Sequence, residues 1–200
     1  MIATLCVFCG SASGEDPRFM RGAEALGALL AERKIRLVYG GGNVGTMGAM
    51  ADACMRGGGE VVGIIPVKLN QLVDHLDLSE LLVVPDMHSR KALMQEKSDA
   101  FVALPGGIGT MEELFEVWAW RYIGYHAKPV GILNVSGFYD GLLRFLRHMC
   151  DQGFLRPDIL DDVVVSDRPD ELLDLLDQKL RSDQVPELKL RERSAALPSG

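Results

Sequence analysis

Short apolar runs of strand length alternate with helix-period stretches along nearly the whole of this 200-residue chain. Ile2–Phe8, Ile35–Tyr39, Glu60–Ile65, Leu81–Val84, Ala100–Leu104 and Val130–Leu133 are apolar almost throughout rather than at every second position. That is the pattern of strands covered on both faces. A weaker run, Val163–Val165, reads as a seventh. Between them, Phe19–Arg33, Thr46–Arg56, His88–Lys97, Thr110–Tyr122, Phe138–Cys150 and Pro169–Leu180 carry helical periodicity. Strand and helix in regular succession imply an α/β chain: a Rossmann-like, doubly wound, mostly parallel sheet with helices on both sides. With 48% hydrophobic residues, a chain of this length buries one sizeable core, so residues 1–181 are expected to form a single domain. The periodicity fades from Ser182, and 182–200 reads as an exposed tail.

Right-handed crossovers and the need to cover both faces predict the strand order 3-2-1-4-5-6. On that order the loops after strands 1 and 4 flank the switch point and the loop after strand 5 lies alongside, all at the carboxyl edge where such sheets bind ligands. Four polar or glycine-rich segments are thereby expected to converge: Cys9–Gly14, Gly40–Gly45, Met87–Lys91 and Pro105–Thr110.

The last of these carries the most chemistry. A buried strand that ends in Pro105-Gly106-Gly107-Ile108-Gly109-Thr110 and passes into a helix offers free backbone N–H groups, little bulk and a positive dipole end, which suit a phosphate. Glu112 and Glu113 follow in what reads as the first helical turn. Helical side chains tilt toward the N-terminus, so Glu113 is expected to lean back toward the glycine loop, the alternative for either acid being that it only complements the dipole. Arg90 and Lys91 open the preceding helix, where cations oppose the dipole at a cost of about 0.3–1 kcal/mol, so their placement points to function or else to a solvated pair. Gly10 and Ser11 of the first segment and Gly42 of the second are the further residues expected to border a ligand.

Gly40-Gly41-Gly42-Asn43-Val44-Gly45 satisfies the dinucleotide pattern G-x-G-x-x-G, but the next strand, Val61–Ile65, ends without the ribose-binding acid. The alternative is structural: glycines that let strand and helix pack closely. No glycine-rich loop is followed by Lys-Ser or Lys-Thr, so there is no Walker sequence.

A net charge of −7 repels polyanions, and Arg33-Lys34-Arg36 and Lys189-Arg191-Arg193 read as solvated faces, so no nucleic-acid partner is expected. The N-terminus lacks a basic leader and no run approaches a membrane span, so no membrane association and a cytoplasmic location are expected. Four cysteines, at 6, 9, 54 and 150, make no disulfide framework. Cys6 and Cys9 form a lone C-x-x-C without a second pair for zinc, and His75, His88, His126 and His148 have no ligand spacing, so no metal site is expected.

Taken together, Gly40–Gly48, Met87-His88-x-Arg90-Lys91 and Pro105-Gly-Gly-x-Gly-Thr-x-x-Glu113 closely resemble the Lonely Guy family of cytokinin-activating phosphoribohydrolases. The resemblance runs from Val7-Phe8-Cys9-Gly10-Ser11 to about Leu180. It implies hydrolysis of the N-glycosidic bond of a purine nucleoside 5'-monophosphate, AMP or an N6-prenylated AMP, to free base and ribose 5-phosphate, with neither metal nor redox cofactor. The family's essential arginine and glutamate fall on Arg90 and Glu113, and its binding residues on Lys91 and on Gly107, Ile108, Gly109, Thr110, Met111 and Glu112, beside Gly106. It also implies a homodimer whose subunits share each site, for which Trp118 and Trp120 are interface candidates, internal packing being the alternative. Two positions depart from the family's usual pattern: Leu72, where an acid is common, and Ala119, where a hydroxyl is. Both bear on the choice between AMP and prenylated nucleotides.

Two other classes compete. Related folds with the same glycine loops carry molybdenum cofactor or other phosphorylated ligands without turnover. The lysine decarboxylase label that members have often borne needs a Schiff-base lysine, and none of Lys68, Lys91, Lys97 and Lys128 stands out for it.

Overall fold

The computed structural model describes residues 1–72 and 76–182. His75, the tail from residue 183 on and the Lys189-Arg191-Arg193 grouping lie outside them. The elements run β1 (Thr4–Phe8), α1 (Pro17–Glu32), β2 (Arg36–Tyr39), α2 (Gly45–Arg56), β3 (Val61–Pro66), α3 (Val67–Asn70), β4 (Glu80–Val84), α4 (Met87–Glu96), β5 (Ala100–Ala103), α5 (Ile108–Tyr122), β6 (Val130–Leu133), a 3₁₀ turn (Val135–Gly137), α6 (Asp140–Asp151), α7 (Pro157–Leu160), β7 (Val164–Ser166) and α8 (Pro169–Ser182).

The seven strands form one parallel sheet, so the doubly wound expectation is met, and the weak seventh run is a strand. Their order, however, is β4-β3-β2-β1-β5-β6-β7, not 3-2-1-4-5-6. β4 pairs with β3 at one edge, Gly63 opposite Leu81, and β5 takes the place beside β1, Leu5 opposite Ala100. Both arrangements satisfy right-handed crossovers. What separates them is burial: Glu80 and Val83 of β4 are exposed, as an edge strand allows, whereas all four β5 residues are buried. The switch point therefore lies between β1 and β5, with the Pro105–Thr110 loop directly on it. The Met87–Lys91 segment starts from the outer edge.

Alternate residues of each strand feed separate cores. Leu5, Val7, Leu37 and Tyr39 face α1, α2 and α8 through Leu26, Met50 and Leu172. Cys6, Phe8, Val38 and Phe101 face α4, α5 and α6 through Met94, Leu114, Trp118 and Leu146. Close helix approach is bought with glycine: a Cβ at Gly27 of α1 would stand 2.2 Å from the Met50 carbonyl oxygen of α2. Asp16 caps α1 through the Arg18 N–H with Pro17 following, so this helix begins two residues before the apolar periodicity does.

The far end of α5 is fixed by charge. Arg121, 2% exposed, donates to Asp162 from Nε (2.5 Å) and Nη2 (3.0 Å) and also to the Ala127 carbonyl. Lys179 Nζ of α8 stands 2.8 Å from the same carboxylate. Burial pushes the Asp162 carboxyl up, but the Arg121 and Lys179 hydrogen bonds outweigh it and hold the group below its ordinary range.

Candidate active site

α5 starts at Ile108, two residues earlier than the periodicity predicts, with Gly107 as a cap that makes no side-chain hydrogen bond. Glu112 and Glu113 consequently lie in the second turn rather than the first. The unsatisfied N–H groups of the first turn belong to Ile108, Gly109 and Thr110, inside the glycine motif itself, where an anion can accept from them. Met111 N–H is already committed to the Gly107 carbonyl at 3.2 Å. Gly106 cannot be larger, since an added Cβ would meet Thr110 Oγ1 at 2.1 Å.

Arg90 reaches this point from the outer edge of the sheet. Asp86 caps α4 through the Ser89 N–H at 2.7 Å, and Arg90 extends from the end of that first turn across the end of β3. Its Nε donates to the Ile64 carbonyl at 3.0 Å and its Nη1 to Glu113 Oε1 at 2.7 Å. The two side chains are only 10% and 9% exposed. Room for the guanidinium comes from Gly40, where a Cβ would stand 2.4 Å from Nη2. Burial pushes the Glu113 carboxyl above its ordinary range, although Arg90 pulls it down by charge and hydrogen bond. The result is a buried carboxyl held by one guanidinium.

A chamber of about 260 Å³ opens in front of this pair. Eight of the residues expected from the sequence border it: Gly10, Ser11, Arg90, Gly107, Ile108, Gly109, Thr110 and Glu113. Gly106 borders the adjoining hollow instead. Four others lie elsewhere. Lys91 donates to Glu112 and, at 2.7 Å, to Glu116, whose other oxygen accepts from Gln95 Nε2 at 3.1 Å. Lys91 and Glu112 thus tie α4 to α5. Burial lowers the Lys91 ammonium, but its two carboxylate partners raise it overall, so it stays a cation. Met111 packs toward the α5-side core, and Gly42 is buried against Met47 and Val44.

The glycine run after β2 is mostly scaffold. Gly45 has φ of 56°, and a Cβ there would fall 2.5 Å from the Ser11 carbonyl carbon. Thr46 Oγ1 accepts from the Gly10 N–H and donates to its carbonyl, both at 3.0 Å. The run thereby fixes the loop after β1 against α2. Val7, Cys9, Gly40 and Met47 also border the chamber; Cys9 and Gly40 lie in segments expected at this edge but not as ligand-bordering residues, and Val7 and Met47 carry no such expectation. The detectable signal was Gly40, first of three glycines directly after a strand.

Cys6 and Cys9 are buried, and burial, reinforced by the Glu113 charge, pushes both thiols up. They are protonated at neutral pH, unlike the thiolates that redox and metal chemistry use. Among the described residues no three His, Cys, Asp or Glu side chains group as metal ligands, and no helix is long and apolar enough to cross a membrane. Trp118 is 5% exposed and stacks with Phe115, while Trp120 is 37% exposed. One expected interface tryptophan thus packs internally and the other is available.

The profile of a family described as "Possible lysine decarboxylase" matches residues 47–176. A cytokinin riboside 5'-monophosphate phosphoribohydrolase of Arabidopsis thaliana is 46% identical over 175 residues, 87% of this chain and 81% of its own. One of the same name from Rhodococcoides fascians is 46% identical over 164 residues, covering 81% and 83%. Among solved structures, a molybdenum cofactor binding protein of Rippkaea orientalis superposes with a TM-score of 0.68 at 22% identity, over 89% of this chain and 97% of its own. The molybdenum cofactor carrier protein of Chlamydomonas reinhardtii gives 0.69 at 19% identity, over 90% and 99%. At such identities these two likenesses show the shared fold alone.

Proposed function

The chain belongs to the Lonely Guy family of cytokinin riboside 5'-monophosphate phosphoribohydrolases, and on that premise we propose how its residues carry the family's reaction. The protein is an N-glycosyl hydrolase that splits purine nucleoside 5'-monophosphates into free base and ribose 5-phosphate. The observation that carries the assignment is the buried Arg90–Glu113 pair, 2.7 Å apart, facing the open first turn of α5.

The 5'-phosphate accepts from the Ile108, Gly109 and Thr110 N–H groups at the positive end of α5. This sets the ribose in front of Glu113. As the C1'–N bond breaks, its electron pair leaves with the base and positive charge develops on the ribose. A carboxylate fixed by Arg90 stabilises that charge without reorganising. Water then adds to C1' and gives up a proton, for which the raised Glu113 carboxyl is suited, while the base takes one up. Arg90 keeps Glu113 ionised and aimed, its planar fork bonded on one side to β3 and on the other to the acid.

Both AMP and N6-prenylated AMP are substrates on this reading. The enzyme is cytoplasmic, its four cysteines remaining thiols. It works as a homodimer, for which the exposed Phe115, Trp120 and Tyr125 on and just beyond α5 supply apolar surface. The test is release of free base, followed by chromatography, from AMP, N6-isopentenyl-AMP, adenosine, ADP and ATP at equal concentration. Monophosphates are expected to react far faster than adenosine, because phosphate binding energy holds the ribose in place. Equal rates for adenosine and AMP would remove the phosphate from the α5 start. No base from any nucleotide would leave a carrier.

A further inference from the structure

Arg90 and Glu113 stand on helices whose parent strands are far apart. α4 follows β4 at the edge of the sheet and α5 follows β5, with β3, β2 and β1 lying between those two strands. Direct strand pairing therefore does not set how the two helices sit against each other. Met94 of α4 and Leu114 and Trp118 of α5 share one apolar core, which draws the helices together, but apolar attraction is non-directional and leaves their register loose. A polar ladder beside the site fixes it. Consecutive helical residues project about 100° apart, so where Arg90 meets Glu113, Lys91 and Glu112 lie round the side of their helices. Residues four apart stack on one face: Gln95 lies one turn beyond Lys91, and Glu116 one turn beyond Glu112. Lys91 Nζ donates to Glu112 and, at 2.7 Å, to Glu116 Oε2, while Gln95 Nε2 donates to Glu116 Oε1 at 3.1 Å. Both oxygens of Glu116 are thus taken up by α4. The rungs are unequal: the Glu112 side chain is 50% exposed and that of Glu116 22%, and Gln95 is buried. An exposed ion pair contributes about 0–1 kcal/mol, so the inner rung, Gln95–Glu116–Lys91, carries the tie.

We propose that Glu116 and Gln95 are positioning residues for hydrolysis, setting the register of α4 on α5 and thereby keeping Arg90 within hydrogen-bond reach of Glu113. The inference rests on the hydrolase reading given above and adds to it two side chains that stand outside the chamber. Arg90 is anchored at Nε to the Ile64 carbonyl, so its Nη1 has little reach to spare. A slide of α4 by a fraction of its rise of about 1.5 Å per residue lengthens the 2.7 Å bond to Glu113. Misplacement by about 1 Å at a reacting centre costs up to about a hundredfold in rate. Phosphate binding escapes that cost, because the N–H groups of Ile108, Gly109 and Thr110 belong to α5 itself. The tie therefore acts on kcat and leaves KM alone.

The test is kcat and KM for base release from AMP, with the pH profile of kcat/KM, in wild type, Glu116→Gln, Glu116→Asp, Gln95→Glu and the double exchange Gln95→Glu with Glu116→Gln; circular dichroism checks folding. Glu116→Gln turns an amide N–H toward Lys91, Glu116→Asp keeps the charge but falls short of Gln95, and Gln95→Glu sets two carboxylates against each other. Each is expected to lower kcat about tenfold with KM within twofold. The double exchange restores the bond with donor and acceptor reversed and leaves a carboxylate four residues from Lys91, so kcat is expected to return to within threefold of wild type. A through-space effect of charge would instead move Glu116→Gln and Gln95→Glu in opposite directions. The acid limb gives a second separation. Facing Glu113 are the charges of Arg90, Lys91 and Glu112 and the protonated thiols of Cys6 and Cys9. Removing the Glu116 charge by itself lowers the Glu113 carboxyl, whereas loosening Arg90 raises it, so the limb of Glu116→Gln is expected to move up. Wild-type kcat in all three single variants, losses that multiply in the double exchange, or an effect confined to KM would overturn the proposal. A wild-type enzyme that released no base would refute the hydrolase reading instead.

Discussion

Gly40 bears no functional group, yet replacing it with alanine is expected to disable catalysis more than it disturbs folding. The added methyl would stand 2.4 Å from Arg90 Nη2 and 3.2 Å from Met47 Sδ. The backbone at Gly40 is not left-handed, so alanine is tolerated there conformationally, and crowding is the whole cost, about 1–3 kcal/mol. The guanidinium is the part able to yield. It cannot do so without loosening its bond to Ile64 or to Glu113, and a hydrogen bond to a charged group is worth about 1.5–3 kcal/mol. At about 1.4 kcal/mol per factor of ten, kcat/KM for base release from AMP should fall roughly 10- to 150-fold. The decisive measurement is a double-mutant cycle with Arg90→Lys, which loses the planar fork and is itself expected to lose most activity. Lysine has no Nη2 to collide with, so Gly40→Ala should cost little in that background. Wild-type turnover in Gly40→Ala, or losses that simply multiply in the double variant, would refute the claim that this glycine exists to admit Arg90.

Three further outcomes follow from the same geometry. Glu113→Gln should keep AMP binding within a few-fold by calorimetry and lose base release by orders of magnitude; near-normal turnover would remove Glu113 from the chemistry. Because burial raises the Glu113 carboxyl, its ionised form is lost as pH falls through a value above 4.5, so the acid limb of kcat/KM should lie above that of a solvent-exposed glutamate, and its absence from the pH profile of Glu113→Gln is the control. Asp162→Asn should lower stability by about 3–5 kcal/mol in denaturant titrations, since it strands Arg121; as the Asp162 carboxyl is depressed on folding, the wild-type contribution is present above about pH 4 and lost as pH drops through the folded value, so the two proteins should converge in acid.

Much of the fold was legible in the sequence because buried parallel strands leave unbroken apolar runs, and because a tight strand-to-helix turn needs glycines whose spacing is readable without context. The strand order was not legible. Apolar pattern says that a strand is covered, not which neighbour covers it, and Leu81–Val84 looks as internal as Ala100–Leu104 until Glu80 and Val83 are seen to be exposed. The start of α5 was missed for a related reason: Ile108 is 89% exposed and adds nothing to a periodicity of buried positions. The residues alone leave Lys91 either functional or solvated, and only the family resemblance makes it a binding residue; its ion pairs are not legible at all. Its carboxylate partners, Glu112 and Glu116, come from a different helix, and no local pattern reports a pairing across 21 or 25 residues.

The placement of β1 has a consequence for how the chain acquires activity. β1 is synthesised before the other described strands yet is the centre of the finished sheet, and everything from β1 to α4 can pair with elements already made. The other side of β1 must wait for β5, with the Thr4 N–H meeting Asp99 Oδ2 at 2.9 Å across a separation of 95 residues. Closing so long a loop is slow, and until it happens β1 offers a bare edge to any other strand. Arg90 is synthesised before that seam and Glu113 after it. Neither can find the other until the halves dock, so during refolding the return of base release should time the closure of the seam, later than the return of helical signal.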